Sequence, residues 1–144
     1  MALMVSACTT VPSGPSTPDI LRHQVNKPFH EVVFDLEFAI SERNFRITGR
    51  NLIGEGLQKR GYTAFPKARV IHFCNLELAR EVLKLDIGFI AHMPCRISIY
   101  EWDGETVIAA NLLPEDHVDH QVNKFAKRNN MLLREIVLAA AETQ

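Results

Sequence analysis

The chain has 144 residues, 47% apolar and 23% charged, the balance of a folded protein with the length of one domain. Sixteen lysines and arginines against seventeen acids leave a formal charge of -1, so no positive excess marks a nucleic-acid or anionic-membrane surface. No apolar run reaches the length of a membrane span, and three cysteines are too few to build a disulfide scaffold.

Residues 1–18 carry no charge and read as a separate object. Met1 to Cys8 is apolar and ends in small residues before a cysteine. Thr9 to Pro18 is rich in Thr, Ser, Pro and Gly, a composition that cannot bury a core. Val5-Ser6-Ala7-Cys8 resembles a bacterial lipobox, in which Cys8 is lipidated and becomes the mature N-terminus. The stretch lacks the positively charged start of a full signal peptide, so a truncated signal remnant is expected. The resemblance implies a periplasm-facing protein of the bacterial envelope. Thr9 after the cysteine, in place of Asp, favours the outer membrane. The expected division is a signal remnant at 1–8, a flexible tether and lead-in at 9–28, and a folded domain at 29–144.

Within the domain, Glu31 to Ile40 alternates, which predicts a half-buried strand with Val32, Phe34, Leu36 and Phe38 on one face. Asn51 to Arg60 reads as a helix beginning near Phe45 and stopped by Gly61. Ala68 to Cys74 is a strand and Leu76 to Leu85 a short helix. Cys95 to Trp102 and Thr106 to Leu112 form a hairpin around Asp103-Gly104. Pro114 opens a long last helix to about Ala141, whose apolar positions run from Val122 to Ala140. The expected class is α+β: one antiparallel sheet, its helices on one face, in the order β-α-β-α-β-β-α.

Helices on one face leave the other face open. Alternation places Asp35 and Glu37, Val70, His72 and Cys74, and Arg96, Ser98, Tyr100 and Trp102 on it. Aromatics with arginine are enriched where proteins meet partners, so His72, Arg96, Tyr100 and Trp102 are the expected contact residues. A homodimer stacked through this face is the simplest partner.

Two segments carry a family resemblance. One is His72-Phe73-Cys74-Asn75-Leu76-Glu77-Leu78-Ala79, and the other is Met93-Pro94-Cys95-Arg96-Ile97-Ser98-Ile99-Tyr100-Glu101. Together they resemble the bacterial and archaeal family called domain of unknown function 302, over roughly Phe29 to Pro114. The resemblance implies a fold similar to half of a TATA-binding-protein saddle, usually self-associated. It implies no activity.

Cys74 ends one strand and Cys95 begins another, so both lie at one end of the sheet. Neighbouring strands would bring the sulfurs within disulfide range, although alternation turns Cys74 outward and Cys95 inward. His72, Cys74, His92 and Cys95 are suitable ligands for a transition metal, without the tight spacing of a structural zinc site. His92 and Met93 suit the axial positions of a non-covalent haem. Farther on, His117 and His120, three apart, share a helical face, where a divalent ion held with Asp116 or acids offsetting a helix N-terminus are the two readings. Asp35 and Glu37 form a candidate carboxylate pair. Gly49 to Gly56 does not match a phosphate loop.

The leading expectation is a non-enzymatic binding or assembly module of the envelope, anchored at Cys8. It self-associates as a homodimer or higher oligomer, holds a small ligand or partner, and binds no nucleic acid. The alternative is a redox, haem or metal-linked periplasmic protein using Cys74, Cys95 and His92.

Overall fold

The computed structural model of the chain describes residues 19–142. Cys8 and the lipobox-like segment lie outside them. The elements run β1 (Ile20–Val25), α1 (Phe29–Glu42), β2 (Arg46–Asn51), α2 (Ile53–Lys59), β3 (Ala68–Cys74), α3 (Leu76–Leu85), a 3-10 turn (Ile87–His92), β4 (Cys95–Trp102), β5 (Glu105–Asn111) and α4 (His120–Ala141). The strands make one five-stranded sheet in the order β1-β5-β4-β3-β2, every neighbouring pair antiparallel. The α+β class with a single antiparallel sheet and helices packed on it is therefore as expected.

Three elements differ from the sequence reading. Glu31 to Ile40 is not a strand but the body of α1. Val32, Val33, Leu36, Ala39 and Ile40 recur at helical spacing and are buried. Phe34 and Phe38 lie on the opposite side, 72% and 59% exposed. Two helical stripes, one inward and one outward and offset by two residues, together read as alternation. The second difference is β2. Arg46 to Asn51 pairs with β3 across a bulge at Ile47/Gly49, and the helix expected from Phe45 starts only at Ile53. β1 lies in the stretch read as tether and lead-in.

The hairpin and α3 fall where the pattern puts them. Asp103 and Gly104 both take positive φ, 51° and 77°, the geometry of a two-residue hairpin turn. Asn75 caps α3 by accepting from the amides of Glu77 and Leu78. Gly61, at φ 97°, follows α2 as its left-handed stop. The last helix starts six residues later than Pro114 suggested, capped by Asp119, whose carboxylate accepts from Gln121 N–H at 2.7 Å. The intervening loop is held instead by amide side chains of α4. Asn130 bonds Leu113 N–H and C=O and Glu115, and Asn123 bonds the backbone of His117.

The main core lies between the sheet and the antiparallel pair α1 and α4. Ile71, Phe73, Ile97, Ile99 and Ile108 meet Val32, Leu36, Ile40, Leu133 and Ile136, all with no exposed surface. A second cluster, Val82, Phe89, Leu113, Val122, Phe125 and Ala126, joins α3 and the 3-10 turn to the first half of α4. Lys27 fastens one end of this layer. Its buried ammonium pairs with Asp35 and donates to the carbonyls of Ala140 at 3.2 Å and Glu142 at 2.6 Å. A cation there offsets the negative end of the α4 dipole.

Candidate functional site: an open sheet face and a sulfur-lined cavity

Register assigns every strand residue to a face. Ile71, Ile97 and Ile108 point into the core, so their sequence neighbours point away from the helices. The open face therefore carries Ile20, Arg22 and Gln24 from β1 and Glu105, Val107, Ala109 and Asn111 from β5. It also carries Arg96, Ser98, Tyr100 and Trp102 from β4, Ala68, Val70, His72 and Cys74 from β3, and Arg46 and Asn51 from β2. Of the residues expected on this face, His72, Arg96, Tyr100 and Trp102 are on it. Asp35 and Glu37 are not, because they belong to α1.

His72 stands directly beside Arg96, and Tyr100 beside Val107 and Ala68. Arg96 Nε donates to Asn111 at 3.2 Å. Trp102 ends β4, opposite Glu105, and is 67% exposed. Arg22 and Arg46 were missed by the sequence reading and have no carboxylate partner among the described residues. Arg22 was hidden because Ile20 to Val25 is an edge strand of mixed polarity. Arg46 was hidden because it was read as helical.

The second feature is a cavity of about 20 Å³ at the end of the sheet where β3 stops and β4 starts. Its walls include Cys74, Cys95, His92, Met93, Phe89 and Asn129. The volume suits a single water-sized guest and leaves no room for a haem between His92 and Met93. Cys95 pairs across the strands with Phe73, so Cys74 is one residue out of step with it, and both cysteines are free thiols. Burial pushes the Cys74 thiol up. Burial also pushes Cys95 up, against the opposing bond from Asn129 Nδ2 at 3.7 Å, and the nearby Cys74 raises it further. Raised thiols stay protonated and react slowly. Among the described residues, no three His, Cys, Asp or Glu side chains gather closely enough to hold a metal ion. His72 is on the open face, apart from the cavity; His92 is exposed, its ring 4.9 Å from that of Phe89. Asn129 was missed, although a polar residue at the helical spacing Phe125, Asn129, Leu133 marks an amide on a buried face.

The family model described as Domain of unknown function DUF302 matches residues 21–140. The chain belongs to this family. The DUF302 match takes in all five strands except the first residue of β1, so the open face and the cavity are both within it. A solved structure, "Crystal structure of uncharacterized conserved protein DUF302 from Bacillus stearothermophilus", is similar to this chain. Its TM-score is 0.75 at 20% identity, over 84% of this chain and 97% of that one. At that identity the likeness shows the fold. No curated protein matches the chain.

In this DUF302 chain the remaining sequence candidates have structural partners. Asp35 pairs with Lys27, and Glu37 is gripped by Arg50 through two bonds of 2.7 Å, so they do not act as a carboxylate pair. The Arg50 hydrogen bonds hold Glu37 below the usual carboxylate range. His117 and His120 do not share a helical face, because α4 begins at His120. His117 Nε2 instead meets Asp86 at 3.0 Å, and its Nδ1 accepts from Asp119 N–H at 3.0 Å. Hydrogen bonds from Gly88 N–H and then from His117 lower Asp86. Among the described residues no helix is long and apolar enough to cross a membrane.

Proposed function

We propose that this DUF302 chain is a non-catalytic binding module, held at the bacterial envelope through Cys8, with the open sheet face as its contact surface. One observation carries the reading. Arg22, Arg46 and Arg96 project from the open face that also carries Tyr100 and Trp102, and among the described residues no ion pair engages them. Exposed arginine beside large aromatics is the composition of contact surfaces. Self-association belongs to the same reading and uses β1, which is an edge strand without proline or bulge.

A photo-crosslinking residue, p-benzoylphenylalanine, in place of Tyr100 tests the face in cells. A discrete adduct is expected at that position and none at Lys84 on α3. No adduct at Tyr100 would remove the reading. Labelled palmitate on the wild-type chain, lost in Cys8→Ala, tests the anchor. Native mass spectrometry of the full chain tests self-association, for which a monomer at micromolar concentration is the refuting result.

A second reading rests on the cavity, which Cys74, Cys95, His92 and Met93 help to line. Thiols and a thioether suit a soft metal ion, and paired cysteines suit redox exchange. The raised thiols place this reading second. Elemental analysis of protein purified without chelator, with a thiol count after unfolding, decides it. Free thiols and no metal end it.

A further inference from the structure

We propose that the open face docks an acidic polypeptide surface that has an apolar patch beside its carboxylates. This rests on the reading of that face as a contact surface and adds the chemistry of what it meets. Arg22, Arg96 and Arg46 lie on one diagonal across the sheet. Register puts Arg96 beside Asn111 and His72, Arg22 opposite Ala109 in the next row, and Arg46 opposite Cys74 in the row on the other side. Each step crosses two strands and two residues, so neighbouring arginine Cα atoms stand about 12 Å apart. His72 falls on the same line. On one side of it lies an apolar patch whose accessible part is Trp102 with half-buried Tyr100 and Val70, over Val107 and Ala109. Val107 and Ala109 are 5% and 7% exposed despite facing away from the helices.

Charge on the face decides the occupant. Among the described residues, the outward positions of its strands carry three arginines and one carboxylate, Glu105, and that carboxylate already accepts from Gln24. A second copy laid on this face would bring more guanidinium groups and no free carboxylate, so like would meet like. A nucleic acid presents phosphates far more densely than one per 12 Å or so, out of step with the spacing of the three arginines. A partner with a row of spaced carboxylates flanked by an apolar patch matches both the diagonal and the patch.

Trp102 is the only tryptophan in the chain and stands on this face, so its emission reports occupancy directly. The full-length protein is titrated with a glutamate–tyrosine copolymer, a lysine–tyrosine copolymer, oligothymidylate and phosphatidylglycerol vesicles. The expected result is a saturable change in Trp102 emission with the glutamate copolymer that weakens as salt rises. The lysine copolymer should leave it unmoved. Arg22→Gln and Arg96→Gln should each weaken binding about tenfold, the loss of one charged contact at a rim-exposed site. Arg46→Gln on β2 is the third variant should either fail to fold, with circular dichroism as the check.

Tighter binding of oligothymidylate or vesicles overturns the proposal, as does copolymer binding indifferent to all the arginine variants. A dimer that Arg96→Gln dissociates, with no copolymer binding, overturns it in favour of a second copy. If the copolymer fails while the Tyr100 crosslink persists, the acidic chemistry falls and the contact face stands. If both fail, both fall.

Discussion

Lys27→Met probes the point where β1, α1 and α4 are tied together. The side chain is 5% exposed, and its ammonium serves Asp35 and the two carbonyls at the end of α4. Methionine keeps the stem and removes the charge. Breaking a buried ion pair from one side costs about 3–5 kcal/mol, because the surviving charge stays desolvated. Here Asp35 is 26% exposed and regains some water, which places the expected loss near the lower end, at about 3 kcal/mol. For a domain of this size that lowers Tm by about 10 °C. Urea unfolding of the variant should show a lower midpoint at an unchanged slope, since the exposed area on unfolding is the same. The double variant Lys27→Met/Asp35→Leu should recover at least half of the loss, because no orphan charge remains. A single variant within about 1 kcal/mol of wild type would refute the account of Lys27 as a buried staple.

Other consequences follow from particular residues. Gly54→Ala places a Cβ 2.6 Å from both Ala68 N and Pro66 O, so α2 must lift from β3, at about 2 kcal/mol in thermal unfolding. Full stability in that variant would show that α2 is not pressed on the strand. Gly104→Ala at φ 77° should cost about 1 kcal/mol through left-handed strain alone, with no change in oligomer mass. Arg50 holds the Glu37 carboxyl low, so its contribution is present above the unfolded glutamate pKa and lost as pH falls through the lower folded value. The stability difference between wild type and Arg50→Gln should therefore shrink on acidification, from about 0.5 kcal/mol at neutral pH for so exposed a pair. A difference that grows with acid would contradict the assignment. Burial should make Cys74 and Cys95 react with a disulfide reagent more slowly in the folded than in the unfolded protein at neutral pH. Faster reaction in the folded state would revive thiol chemistry.

Local rules were legible where one residue dictates one geometry. Asp103-Gly104 named the hairpin because both positions need positive φ. Gly61 marked a helix stop because a missing Cβ does that job without tertiary help. β3 and β4 were legible because Ile71, Phe73, Ile97 and Ile99 alternate with polar or small residues in the middle of a sheet. Their outward neighbours His72, Arg96, Tyr100 and Trp102 were therefore placed correctly. α1 was misread because Phe34 and Phe38 are apolar yet exposed, and hydropathy cannot distinguish an outward stripe from an inward one. β2 was misread because an edge strand with a bulge needs no strict alternation.

By itself the sequence determined the class, the hairpin, the helix α3 and the family motifs around Cys74 and Cys95. These depend on period, turn chemistry and short spacing, which neighbours in the chain decide. Only the tertiary structure decided which distant charges meet. Asp35 and Glu37 became structural ion pairs because α1 carries them to Lys27 and Arg50. Arg22 and Arg46 became part of one surface because β1 and β2, consecutive strands in the chain, form the two opposite edges of one sheet. Pairing across a sheet depends on strand order and register, and a one-residue shift in register turns every such side chain to the other face.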